Sequence, residues 1–149
     1  MKKIGGCVMT GQITIGTYNG VENRLQLFDG KFTTGYRIVD FKISSQYPLN
    51  AGEFVSKLST EPKSNIAEWH WDDVQEIAWA KVDQAALFTG SERGVIRPDN
   101  MIIEDLYISA YSTSESGNLN YEITLEKYEF PAYTGAGFLV ENNSQAGPQ

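Results

Sequence analysis

Cysteine and histidine are almost absent from this sequence: Cys7 and His70 are the only ones in 149 residues. A lone cysteine closes no internal disulfide, so the fold must rest on an apolar core, and a compartment that is reducing or does not use disulfides is expected. One histidine and one cysteine also fall short of the usual zinc ligand sets. No apolar run approaches the roughly 20 residues of a membrane-spanning helix, so no membrane partner is expected. Basic residues are outnumbered, 12 against 19 acidic, for a formal net charge of −7. A phosphate backbone needs clustered lysine and arginine, so nucleic acid is not an expected partner either. The start Met1-Lys2-Lys3-Ile4-Gly5-Gly6-Cys7 imitates a secretion signal but lacks the apolar stretch of about 7 to 15 residues that such a signal requires.

The chemical inventory is equally thin. His70 sits between Trp69 and Trp71. It reads as a loop imidazole between two anchoring indoles, with a general base beside Asp72 or Asp73 as the alternative. Cys7 would need positive surroundings and His70 as its base to act as a nucleophile; an inert N-terminal position is the expectation. Asp72-Asp73, Glu104-Asp105 and the series Glu122, Glu126, Glu129 supply carboxylates, but Glu122 and Glu126 fall on the polar face of an alternating strand, where charges are ordinarily solvated. No Asp-x-Asp-x-Asp-Gly loop occurs, and Gly135-Ala136-Gly137 lacks the continuation of a phosphate cradle. No cofactor, no metal and no catalysis are expected.

What the chain does have is β-forming sequence. Hydrophobic residues make up 41% and aromatics 12%, enough for one core of ordinary size. Ile13 and Ile15 alternate with polar residues before Asn19-Gly20, which reads as a hairpin turn into Arg24–Phe28, ended by Asp29-Gly30. Gly35–Ser44 reads as a longer strand whose phase slips between Ile38 and Val39, the mark of a bulge or of burial on both sides. Glu53–Ser59 puts Phe54 and Leu58 on one face. In the segment 74–86 helical and strand periods compete; a turn at Asp72-Asp73 followed by a strand from Gln75 to Lys81 is preferred, with a long loop through Thr89-Gly90 and Ser91–Gly94. Pro98-Asp99-Asn100 makes a turn before Met101–Tyr111, and Leu119–Phe130 follows after a polar stretch. These two runs are expected to pair as an antiparallel hairpin, with Leu106, Ile108 and Ala110 facing Tyr121, Ile123 and Leu125.

The pieces sum to an all-β fold, an antiparallel sandwich of about seven or eight strands with jelly-roll connections. The domain is expected over 12–130, between an N-terminal arm at 1–11 and a Gly-rich, polar C-terminal arm at 131–149 that would dock on neighbouring subunits. Trp69, Trp71 and Trp79 offer two readings. They form a stacking platform for sugar rings, or Trp79 fills the core while Trp69 and Trp71 cover an edge or a subunit contact, where tryptophan is enriched. Phe138-Leu139-Val140 is a second candidate interface segment.

The segments Ile77-Ala78-Trp79-Ala80, Asp99–Ile108 and Asn120-Tyr121-Glu122-Ile123, with the ending Asn-Asn-Ser-Gln-Ala-Gly-Pro, resemble small β-rich virion structural proteins of marine bacteriophages over Gly35–Gln149. The resemblance implies a capsid-associated or tail-associated subunit, such as a decoration or cement protein. Such a subunit folds in a host cytoplasm, resides in the virion, and has itself and other virion proteins as partners. The tryptophans keep a carbohydrate-binding module, with a glycan partner, as the alternative.

Overall fold

The computed structural model of the chain describes residues 1–15, 19–46, 52–63, 66–84, 91–112 and 117–143. They form eight strands and a helix: β1 (Lys2–Ile15), β2 (Asn19–Leu25), β3 (Thr34–Ser45), β4 (Gly52–Ser59), β5 (Glu76–Gln84), β6 (Ser91–Ile96), β7 (Leu106–Ser112), β8 (Gly117–Glu129) and α1 (Ala132–Asn143). Two antiparallel sheets result, one ordered β1-β8-β3 and the other β2-β7-β4-β5-β6. Strand 1 pairs with 8, 2 with 7 and 4 with 5, while β6 lies against β3 as well as pairing with β5. Three nested pairs of a rolled-up hairpin, β1 with β8, β2 with β7 and β4 with β5, are present, but among the described residues β6 joins β5 in the second sheet and does not pair with β3, so the sandwich is jelly-roll-like.

Alternation decides which face of each strand turns inward. Leu119, Ile123 and Leu125 of β8, Leu106, Ile108 and Ala110 of β7, and Phe54 and Leu58 of β4 are all buried in one cluster with Ile13, Ile15, Phe41 and Ile43. Each fully buried large aliphatic or aromatic side chain contributes about 1.5–3 kcal/mol by leaving water. The slip in β3 is a bulge: the register against β8 jumps from Ile38↔Leu125 to Asp40↔Thr124, leaving Val39 exposed. The extra residue returns Ile38, Phe41 and Ile43 to the same buried face. On its other side Ile38 finds no strand; the Asn100 amide replaces one, accepting from Ile38 N at 2.8 Å and donating to Ile38 O at 3.1 Å.

Several local expectations are corrected. Asn19-Gly20 is not a hairpin turn but the first pair of residues of β2, and β1 and β2 lie in different sheets. β7 and β8 likewise belong to opposite sheets, although their core-facing residues are those anticipated. A jelly roll passes the chain from sheet to sheet, so adjacency along the sequence does not imply pairing in space. Ser91–Gly94 belongs to β6 and not to a loop, because β5 supplies it with a ladder partner; Thr89-Gly90 falls outside the described residues. The turn at Asp29-Gly30 is present, with Gly30 at φ +87° and Lys31 N donating to Asp29 Oδ1. The strand expected at Gln75–Lys81 is β5, displaced by one residue at its start and longer at its end.

Parts of both segments expected as arms, Lys2–Gly11 and residues 132–143, form regular structure, while 144–149 fall outside the described residues. Lys2–Gly11 is part of β1 and pairs with β8 as far as Glu129. Residues 132–143 form α1, which starts at Pro131, whose carbonyl accepts from Thr134 and Gly135. Gly135 is needed there: a Cβ would stand 1.8 Å from the Phe32 carbonyl oxygen, so the helix rests directly on backbone. At its far end Asn142 bridges Met101 O and Ile103 N, and its own carbonyl accepts from Thr60 Oγ1 at 2.8 Å. The helix thus spans from the end of β8 to the end of β4, closing one end of the sandwich over Met101, Ile103 and Phe130.

Candidate functional site: a braced tryptophan loop and an apolar end

Between β4 and β5 the chain folds back over the outward face of the five-stranded sheet. Lys57 of β4 points to that face by alternation with Phe54 and Leu58, yet it is wholly buried, as is Glu76 at the start of β5. Their charges meet at 3.0 Å, and Lys57 Nζ also donates to Glu68 O at 2.8 Å. The second carboxylate oxygen of Glu76 accepts from His70 N at 2.8 Å and from the Trp79 indole at 2.9 Å. A second buried pair, Lys63 Nζ to Asp73 Oδ2 at 2.8 Å, holds the loop from its other side, and Asp73 Oδ1 accepts from Gln75 N. Arg97 donates to the carbonyls of Trp71 and Asp73, each at 2.9 Å. Charges this deep are tolerated because every one is answered by an opposite charge and by hydrogen bonds.

The brace sets the tryptophans. Trp79 is buried, but beneath this loop on the outer side of its sheet and not in the central cluster. Trp71 leans on it, centroids 5.6 Å apart, and remains 57% exposed. Trp69 is half-buried, with its indole nitrogen shielded and without a hydrogen-bond partner. Only Trp71 therefore presents a broad face to solvent. His70 Nε2 lies 3.3 Å from Glu68 Oε2, in poor alignment for a hydrogen bond, and Asp73 is committed to Lys63 and Gln75. The dyad of His70 with Asp73 that the sequence permitted is not assembled. Among the described residues no group of three or more His, Cys, Asp or Glu is placed to hold a metal ion. No helix among them is long and apolar enough to cross a membrane.

The segment Phe138-Leu139-Val140 divides. Phe138 and Leu139 pack on Met101, Ile103 and Phe130, with Phe138 edge-on to Phe130 at 5.2 Å, whereas Val140 is exposed. About two turns before it, Tyr133 is 81% exposed. Spaced seven apart, Tyr133 and Val140 share the outward face of α1 with the small residues Ala136 and Gly137. Phe28 and Phe32, 5.1 Å apart and both exposed, lie beside the helix where Gly135 abuts Phe32. Met1 and Ile4, also exposed, approach the same end through the pairing of Lys2 with Glu129. The loop is anchored there by Asp29, which accepts from Thr34 Oγ1 at 2.6 Å and faces Lys127 Nζ at 3.1 Å. The Thr34 hydrogen bond, ahead of Lys127, lowers the Asp29 carboxyl to about 2.

Sequence reasoning found the tryptophans but not the charges that hold them. Lys57 alternates with apolar neighbours exactly as a solvated strand lysine does, so nothing local marks it as buried. A third surface lies on the outward face of the three-stranded sheet, an open depression of about 490 Å³. Two cross-strand rows line it, Thr10-Glu122-Lys42 and Gln12-Asn120-Ser44. Gln12 donates to Asn120 across it at 2.7 Å. Compared with known proteins, the chain matches no family model and no curated sequence.

Proposed function

We propose that this protein acts by assembly, as a jelly-roll-like structural subunit of a bacteriophage particle in a decoration, cement or minor capsid or tail-associated role. The observation that carries the reading is the apolar end of the sandwich, where Phe28, Phe32, Tyr133, Val140, Met1 and Ile4 remain exposed. Apolar side chains gathered in one region of a soluble surface mark a contact surface. Jelly rolls occur in virus capsids and in lectins, a fold-level analogy that agrees with the resemblance of the sequence but does not itself assign a function. Mass spectrometry of purified particles, with light scattering of the isolated chain, tests the reading. Expected are the chain among the virion proteins and self-association in solution; a monomer missing from particles overturns it.

Trp71 favours a second reading, a carbohydrate-binding module. Its exposed indole is held on a loop stiffened by buried ion pairs, the preorganisation a sugar-stacking platform needs. A glycan array run with the wild-type chain and with Trp71→Ala separates the two. Sugar binding lost on substitution supports the module, and no binding by the wild type removes it.

A further inference from the structure

The two sheets have four edges, and three of them are guarded. Edge strand β2 carries Glu22 and Arg24, β6 is short and ends just before Arg97, and β3 carries Arg37, Asp40 and Lys42 together with the bulge at Val39. Charges, bulges and short length on an edge prevent pairing with another chain. The fourth edge, β1, carries such guards only at its tip, in Lys2, Lys3 and the bulge at Ile4. From Ile4 to Ile15 it contains no charged residue and no proline, and its single irregularity lies at the tip, between Lys3 and Gly5. Only one side of β1 is paired, with β8, and among the described residues no strand covers the other.

Its side chains are equally bare. From Lys2 to Val8 every residue is exposed, although successive residues point to opposite faces, so neither face of this stretch is covered. Val8 is 58% exposed, and Ile4, four residues earlier in the strand, is exposed as well. A Cβ built at Gly5 would meet nothing within 4 Å.

We infer that the free edge of β1 pairs antiparallel with β1 of a second copy of this chain, joining two three-stranded sheets into one across a two-fold axis near Gly6. The inference rests on the assembly reading and names its contact element. In this register Gly5 lies opposite Cys7 of the other copy, the bulge at Ile4 falls near Val8, and Lys2 and Lys3 beyond it face the uncharged Met9 and Thr10. No like charges are opposed, which matters for a chain of net charge −7. A second copy answers the edge because the strand is its own complement. Its lysines stand at one end, its uncharged stretch fills the rest, and reversal sets each against the other. Such a contact is isologous and closes at the dimer, without continuing into fibres.

Sedimentation or light scattering at ~100 µM protein reads the dimer directly, an equilibrium in which each tenfold change in Kd is ~1.4 kcal/mol. Val8→Lys places a guard charge on the open edge, with the side chain in solvent. Expected are a dimer for the wild type and a folded monomer for V8K, its dissociation constant raised ~100-fold or more. Amide exchange over Lys2–Thr10 should be slowed in the wild type as concentration rises and unaffected by concentration in V8K. If V8K fails to fold by circular dichroism, Thr10→Lys, exposed on the same strand, takes its place. A monomeric wild type overturns the inference, and so does a folded lysine variant that remains a dimer. A monomer that is nonetheless found in particles removes the edge pairing and leaves the particle-subunit reading standing.

Discussion

Two regions of this molecule invert the usual distribution of charge. Beneath the tryptophan loop, Lys57 and Glu76 are sealed from water, while along β1 the apolar Ile4 and Val8 stand in it. Within one chain, the buried charges are satisfied by partners of the same fold, whereas Ile4 and Val8 stay exposed although their strand is paired with β8. The first region is complete in itself and works as a brace. The second leaves apolar side chains in water, and the apolar end around Phe28, Phe32 and Tyr133 shares that character.

The contrast breaks most sharply at Glu76. Glu76→Ala leaves the Lys57 ammonium buried without its counter-charge and removes an acceptor from His70 N and Trp79, so a loss of about 3–5 kcal/mol is expected in urea denaturation. The double variant Lys57→Met, Glu76→Leu should recover only part of that, since it removes the uncompensated charge but still leaves His70 N, the Trp79 indole and Glu68 O without these partners. A single variant that unfolds at the wild-type midpoint would show that the brace is not sealed. Next in size is Asn142→Ala, which strips the hydrogen bonds to Met101 O and Ile103 N and should cost about 1–3 kcal/mol. It should also loosen α1, seen as faster amide exchange in that helix.

A smaller effect concerns acid. Asp29 is held at about 2 in the folded chain, below the usual carboxylate range. A depressed folded value means that its stabilisation is present above the unfolded value and is lost as pH falls. The expected loss, about 1 kcal/mol after allowing for partial exposure, lies between roughly pH 5 and pH 2. Asp29→Asn should flatten that part of the pH profile of thermal stability. Smallest of all, Val8→Lys should leave the stability of the isolated subunit within about 0.5 kcal/mol, because its side chain touches no core. A large loss there would mean that β1 is already covered, and the contrast between the two regions would fall.

Much of the fold was legible. Alternation at Ile13 and Ile15, at Leu106, Ile108 and Ala110, and at Ile123 and Leu125 identified strands and their inward faces. The slip at Val39 announced its bulge. What failed was pairing: Asn19-Gly20 and the polar stretch after β7 carry the local chemistry of turns, and local chemistry does not say whether the chain returns in its own sheet or crosses to the other. The helix was missed because Gly135 and Gly137 lower helix propensity, which packing on the Phe32 backbone overrides. Of the candidate site, Trp71 is exposed, Trp69, Phe138 and Leu139 are half-buried, and the charges at Lys57, Lys63, Asp73 and Glu76 were invisible in the sequence.

The sequence by itself determined that this is a strand-built, acidic chain, poor in the side chains of common catalytic and metal sites, because strand periodicity and residue inventory are local properties. Only the tertiary structure decided that, among the described residues, β1 is an edge strand paired with β8 alone and that Lys57 lies under a loop. Both depend on which distant segment comes to lie beside a strand, and that is settled by the burial of the whole core at once.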